Sequence, residues 1–545
     1  MRRHREDNRL SSGDALFLYL EREGMPLNVA SVAVFEGEIS LRNCTRFIES
    51  KLPLIPRYRQ RVVAPPFNIG FPTWEYDPRF DVRHHVHHIM LKRGTDTEFK
   101  AVAGNILSKV MDRERPLWDF TLIHGLKGNR TGVVTRMHHC LADGLAGVSL
   151  MNVLMDPSPE VRPLPKRKPQ FQAPPNAATP AFLDELLNSS VLVAEKVLSA
   201  QMELFQVLQQ VLAAAGQPSE RAPLVTNGAA QVPSVDRFAR FMPELTAATQ
   251  PLPFNVICRG PQRFGWAEIP LDDIKAVKNA FAVTVNDVAL ALVASAFQHY
   301  AELRGVRIKG RLLRIVVPVN VRGNDKAGDL GNRITFVPVT IPLDIRSPRK
   351  LVAAIHERTM FLKSVHVAEC VGLFGTLLGT IPTAAQELAG PIVSQVPLGL
   401  CNFIFTNVPG PTSALYLLGH KMLHCYPYVP IGGDLGINCA VLTYNGTAYF
   451  GLTADVHAAP DVRRLEKFLH ACFVKLSRAA GCRPPRKKRP RTGKHVVRST
   501  SVEPQPAPKL DLPSSQPAIS VQPPPVHAPL TNTHEENALL PAVGV

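Results

Sequence analysis

Thr135-Arg-Met-His-His-Cys-Leu-Ala-Asp-Gly-Leu-Ala-Gly-Val148 places two adjacent histidines, His138 and His139, ahead of Asp143 and Gly144. Val133, Val134 and Thr135 lead in as a strand, and Leu145, Val148, Leu150 and Val153 have the spacing of one helix face. Residues 138–143 therefore lie on a strand-to-helix connection, where side chains can face a cleft. A histidine held there can take a proton from a hydroxyl near neutral pH, because its ordinary pKa is about 6.5. Asp143 needs its own explanation.

The spacing His-His-x-x-x-Asp-Gly resembles that of the CoA-dependent acyltransferase superfamily, which includes chloramphenicol acetyltransferase-like enzymes and peptide-synthetase condensation domains. There the second histidine is the general base, and the aspartate is structural, bonded to a distant arginine that holds the loop. The resemblance implies that His139 is the base and that His138 supports the loop. Cys140 occupies a variable position, and neighbouring side chains on an extended segment diverge, so a cysteine nucleophile is the weaker reading.

A narrower resemblance comes from several motifs in order. Leu10-Ser-Ser-Gly-Asp-Ala-Leu-Phe-Leu-Tyr-Leu20 reads as a capped helix followed by a strand over 29–35, and is similar to the LSPLDAMFL opening of the wax ester synthase/diacylglycerol acyltransferase family. Ser12 stands where the family has proline, and Asn28 where it has histidine. Pro116-Leu-Trp118, Asn286-Asp287 and Asn407-Val-Pro-Gly-Pro411 match further motifs of that family. The likeness spans about residues 8–480. It implies two chloramphenicol acetyltransferase-like α/β domains, mixed sheets with flanking helices, and an interface channel reaching His139 from both sides. Acyl-CoA would enter by one mouth, and diacylglycerol or a long-chain alcohol by the other, with no cofactor beyond the acyl-CoA substrate. The alternatives are another transferase of the superfamily, acting on a polyketide or glycolipid alcohol or on an amine, and a lipid-binding homologue without activity.

A chain of 545 residues is too long for one core. The expected division is a first acyltransferase domain over 1–155, a linker and long helix over 156–253, a second domain over 254–482, and a basic, disordered tail over 483–545. Proline, lysine and arginine crowd residues 156–180, and apolar positions then recur at helical spacing over 182–215. That helix reads as packed between domains, since its polar face carries few lysines to meet an anionic bilayer. The tail opens with Arg483-Pro-Pro-Arg-Lys-Lys-Arg-Pro-Arg491 and cannot bury a core.

The formal net charge of +17 favours anionic partners, among them the phosphates of CoA, an anionic membrane or a lipid-droplet surface. No RNA-binding aromatic motif accompanies the basic cluster, so nucleic acid is not expected. Nine cysteines without a CxxC pair suit free thiols in a reducing compartment and argue against zinc. The apolar run 15–20 is too short for a signal peptide, and the uncharged stretch 370–386 is broken by glycine and proline before it reaches spanning length. A cytoplasmic protein, peripheral at a membrane or droplet, is expected.

Three further sites invite a reading. His84, His85, His87 and His88 alternate between faces if they lie on a strand, which makes a solvated edge strand a better account than a metal site. Thr284 and Asp287 have capping-box spacing, which leaves Asn286 as the functional member of its pair. Arg322 ends an apolar strand over 315–322, and family practice makes it the expected partner of Asp143. Asn445-Gly446 joins strands over 437–444 and 448–454 as a hairpin.

Overall fold

The valine-rich run from Asn28 to Glu36 forms β1, and in this computed structural model it lies within a six-stranded sheet. The described residues are 8–65, 70–141, 144–161, 249–320, 334–364, 383–397 and 399–482. Asp143, Arg322, the linker and long helix over 162–248, most of 370–386, and the tail from 483 lie outside them. The remaining strands are β2 (Gln60–Val63), β3 (Thr73–Tyr76), β4 (Val86–Met90), β5 (Trp118–Leu126), β6 (Arg130–His138), β7 (Gln262–Pro270), β8 (Leu312–Asn320), β9 (Ile334–Pro342), β10 (Phe403–Pro409), β11 (Tyr416–Leu417), β12 (His420–Tyr428), β13 (Ile437–Tyr444) and β14 (Thr447–Asp455).

The first sheet runs β11-β12-β1-β6-β5-β4 and the second β7-β14-β13-β10-β8-β9, while β2 and β3 pair as a small hairpin. Both large sheets are mixed: β4 is parallel to β5, and β10 is parallel to β8 and β13. β5 and β6 are buried along nearly their whole length, as strands covered on both faces must be. The helices Leu41–Lys51, Asp96–Leu107 and Gly144–Leu154 pack on this sheet. β11 and β12 come from far along the chain, so residues beyond 410 complete the first sheet.

The second sheet is built around the helix Val285–Leu303, whose side chains from Asp287 to Ala294 are all buried. Phe297 stacks on Phe403 of β10 at 4.0 Å. The expected capping box is present: Asp287 N–H donates to Thr284 Oγ1 at 3.1 Å, and Thr284 N–H donates to Asp287 Oδ2 at 3.0 Å. Asn445 and Gly446 both take positive φ, 44° and 76°, as a two-residue hairpin turn requires. No single described helix is long and apolar enough to cross a membrane.

The histidine run needs a correction. Val82–His84 is a 3-10 turn, and β4 starts only at Val86, so one alternating strand does not carry all four side chains. His87 and His88 are exposed on an edge strand, but His85 is buried, with Nδ1 2.8 Å from the Trp118 carbonyl and its ring stacked on that indole at 4.5 Å. The cause is the tight turn after Asp81, whose Oδ1 accepts the Arg83 N–H at 2.9 Å.

The lobes meet along β7. Gln262 N–H donates to Ser108 Oγ at 2.7 Å, the Tyr428 hydroxyl donates to Gln262 Oε1, and Lys100 pairs with Glu466 at 2.7 Å. Trp266 stacks on Tyr426 of β12, with centroids 4.4 Å apart.

Candidate active site

β6 delivers the two histidines, and backbone hydrogen bonds on both sides fix where it ends. Asn28 of β1 is register partner to His138. The His138 N–H donates to the Leu117 carbonyl at 3.0 Å, and the His139 N–H donates to the Leu27 carbonyl at 2.9 Å. Leu117 belongs to the Pro-Leu-Trp motif, whose Trp118 is itself anchored. Its Nε1 donates to the Tyr58 carbonyl at 2.7 Å, and its ring lies between Tyr58 and His85. Asn28 is fully buried, and its Nδ2 donates to the Lys109 carbonyl at 3.2 Å.

The two imidazoles take different surroundings. His138 is fully buried and His139 half-buried. The His139 ring lies against Phe17 of the Ser12–Leu20 helix, centroids 3.9 Å apart and planes 9° from parallel. Ser11 caps that helix, its Oγ accepting the Asp14 N–H at 3.1 Å. His138 Nδ1 accepts the Cys140 N–H at 3.1 Å, which puts the ring proton on Nε2. Nε2 lies 3.4 Å from Glu21 Oε1.

Glu21 is a residue the sequence reading passed over. Its carboxylate is buried, Oε1 accepting the Leu27 N–H at 3.0 Å and Oε2 pairing with Arg113 at 3.2 Å. Burial pushes its pKa up, but His138, the Leu27 N–H and Arg113 outweigh that and hold it below the usual carboxylate range. Phe17 and Arg113 were missed with it. An acid closing an otherwise apolar helix was the available signal.

Cys140 is buried, and desolvation, with Asp14 and Glu21 adding to it, pushes its thiol well above the ordinary range. A thiol so placed is not a nucleophile near neutral pH. Arg136, on β6 four residues before Cys140, pairs with Asp119 Oδ2 through Nε at 3.0 Å and donates from Nη1 to the Ile106 and Lys109 carbonyls. It ties β6 to the end of the Asp96–Leu107 helix.

In the second lobe, Asn286 Oδ1 accepts from Asn407 Nδ2 at 3.5 Å, which joins the Asn-Asp pair to the Asn-Val-Pro-Gly-Pro element. Asp287 is occupied structurally, receiving His356 Nδ1 and Thr359 Oγ1 at 2.8 Å each besides its cap contacts. Gly144 begins the Gly144–Leu154 helix. Among the described residues no group of three or more His, Cys, Asp or Glu side chains is placed to hold a metal.

Two mixed-sheet lobes, with a His-His loop ending a central strand of the first, define a condensation-type acyltransferase fold. The solved wax ester synthase/diacylglycerol acyltransferase from Marinobacter aquaeolei VT8 shares it, with a TM-score of 0.57 and 22% identity over 87% of this chain and 100% of that one. So does the first condensation domain of the CDA synthetase, with a TM-score of 0.51 and 13% identity over 86% of this chain and 96% of that one. At the level of sequence, the family model for the wax ester synthase/diacylglycerol acyltransferase catalytic domain matches residues 10–289, and that for the WS/DGAT C-terminal domain matches residues 330–476. The chain belongs to the wax ester synthase/diacylglycerol acyltransferase family and is an acyltransferase. "Probable diacyglycerol O-acyltransferase tgs1" of Mycobacterium tuberculosis is 27% identical over 481 residues, 86% of this chain and 96% of the relative. "Probable diacyglycerol O-acyltransferase tgs2" of the same organism is 27% identical over 482 residues, 86% and 98% of the two chains.

Proposed function

We propose that the chain transfers a fatty acyl group from acyl-CoA to a lipid alcohol, diacylglycerol foremost and long-chain alcohols second, with His139 as general base. The observation that carries this reading is the pairing of unlike histidines at the end of β6: one buried with its Nδ1 engaged, the other half-buried against Phe17. His139 takes the proton as the acceptor oxygen attacks the thioester carbonyl. The C–O bond forms, the C–S bond breaks, and the imidazolium returns its proton to the CoA thiolate. One residue serves both half-steps, so no acyl-enzyme is needed. Diacylglycerol as acceptor is supported by the names of the mycobacterial relatives. His138 and Gly144 shape the loop, Asn286 serves from the second lobe, and Asp143 with Arg322 forms the family's structural pair in this reading.

Labelled palmitoyl-CoA offered with a panel of diacylglycerols, long-chain alcohols and amines tests the assignment. Triacylglycerol as the main product supports it. Amide formation alone, or acyl-CoA binding without turnover, overturns it. The basic cluster at 483–491 suits peripheral contact with an anionic membrane or droplet surface. Removing residues 484–545 is expected to weaken binding to anionic vesicles and to leave turnover of detergent-dispersed substrate unchanged. Equal vesicle binding by both forms at low salt dismisses that attachment.

A further inference from the structure

We infer that Glu21 is the positioning residue of the catalytic loop, acting on His139 along two routes that start from its Oε1. This rests on the reading of His139 as general base. The first route is side chain to side chain. His138 Nδ1 is committed as an acceptor to the Cys140 N–H, so its proton sits on Nε2, and that buried nitrogen has Glu21 Oε1 at 3.4 Å. Nε2 makes no well-aligned hydrogen bond to any described group, and the carboxylate at 3.4 Å is its electrostatic counterpart. A carboxylate at that place favours the Nε2–H tautomer, and only that tautomer can accept the Cys140 N–H and hold the backbone that turns out of β6.

The second route is through the main chain. Oε1 also accepts the Leu27 N–H at 3.0 Å, and the Leu27 carbonyl accepts the His139 N–H at 2.9 Å. One oxygen therefore stands behind both the side chain before the base and the backbone of the base itself. The carboxylate is held from its other side, where Arg113 Nη2 donates to Oε2 at 3.2 Å and to the Leu18 carbonyl at 2.7 Å. Leu18 follows Phe17, whose ring lies on His139, so Arg113 ties the carboxylate to the helix that carries the stacking ring. Glu21 touches no reacting atom in this arrangement. Its part is to fix the orientation of the atoms that do, and loss of the comparable outer support of metal-ligating histidines costs about ten- to a hundredfold.

The test uses the full chain with Glu21→Gln, Glu21→Asp and His139→Ala. Glu21→Gln keeps shape and an acceptor but faces Arg113 without charge. Its kcat is expected to fall about tenfold or more while KM for palmitoyl-CoA stays within about twofold, measured well below the melting temperature of each variant. Glu21→Asp, which restores the charge, is expected to recover part of the loss. Nitrogen-15 histidine spectra report the tautomer directly: His138 is expected as Nε2–H in the native chain and as a mixture in Glu21→Gln. A Glu21→Gln enzyme with native kcat and an unchanged His138 spectrum, beside an inactive His139→Ala, overturns the positioning role alone. Turnover persisting in His139→Ala overturns the general-base reading instead.

Discussion

Phe17 lies parallel to the imidazole of His139, with the two ring centroids 3.9 Å apart. A general base on a loop must be kept from swinging, and a flat apolar ring against one face does so without altering either nitrogen. Aromatic pairs of this kind contribute about 0.5–1.5 kcal/mol beyond burial. Phe17→Ala is therefore expected to lower single-turnover rates by roughly two- to tenfold, and Phe17→Tyr to retain most of the rate. An unchanged rate in the alanine variant would make the stack a packing contact only.

The two histidines are expected to separate in kinetics. His139→Ala should lower the rate constant by about 10² to 10⁴ with fold and acyl-CoA binding intact. His138 is fully buried and bonded to the Cys140 N–H. Its replacement by alanine leaves a void and an unsatisfied amide, so His138→Ala should lower thermal stability by about 1–3 kcal/mol and act on the rate only through the loop. Single-turnover rates at saturating acyl-CoA, taken with melting curves, distinguish the two.

Cys140 offers a sharper test of the covalent alternative. Its buried thiol sits well above the ordinary range, so thiolate is scarce at neutral pH. Cys140→Ala should keep near-native turnover, and iodoacetamide should not inactivate the native enzyme on the timescale of the assay. A trapped acyl-cysteine at this position would refute direct transfer without an acyl-enzyme.

The local elements were legible because their chemistry is local. Ser11 caps the first helix through its own hydroxyl, Thr284 and Asp287 cap each other, and Asn445-Gly446 turns a hairpin. Each depends on residues within three or four positions. The support beneath the base was not legible, since it joins Glu21, Leu27, Arg113 and His138, more than a hundred residues apart in sequence at the extremes. β12 was missed for the same reason. Its apolar and polar residues do not alternate cleanly, and besides pairing with β11 and β1 it packs against β13 and β14 of the second lobe. The histidine run misled because a strand's alternation was assumed before the turn at Asp81 had ended.

Acid should unfasten the second lobe in part through Asp287. Burial pushes its carboxyl up, but hydrogen bonds from His356, Thr284 and Thr359 prevail and hold it below its ordinary value of 3.8. A depressed folded pKa gives stability that is fully present above the unfolded value, begins to fall below 3.8, and is gone once pH passes beneath the folded value. The melting temperature of the native chain is therefore expected to drop more steeply below about pH 4 than that of Asp287→Asn. Asp287→Asn should also be less stable at neutral pH, by about 0.5–2 kcal/mol for the cap it weakens. Parallel melting curves across that acid range would refute the assignment.

At Gly451 the backbones of the two lobes approach closely. A Cβ built there would sit 1.7 Å from the Pro427 carbonyl oxygen, far inside contact distance. Gly451 lies on β14 between Trp266 of β7 and Ala440 of β13, and Pro427 lies on β12 opposite Ser31 of β1. Both strands are paired in their sheets, so neither backbone can retreat alone, and the collision must be taken up by the contact between the lobes. Gly451→Ala should cost at or above the upper end of the roughly 1–3 kcal/mol typical of overpacking, and it should lower activity through the same displacement. Gly147→Ala is the matched comparison, since nothing lies within 4 Å of its Cβ and its helix should gain about 0.5–1 kcal/mol from alanine. Melting temperatures that moved equally in the two variants would show that the lobes can separate freely at β12, and that the crossing strand does not set their spacing.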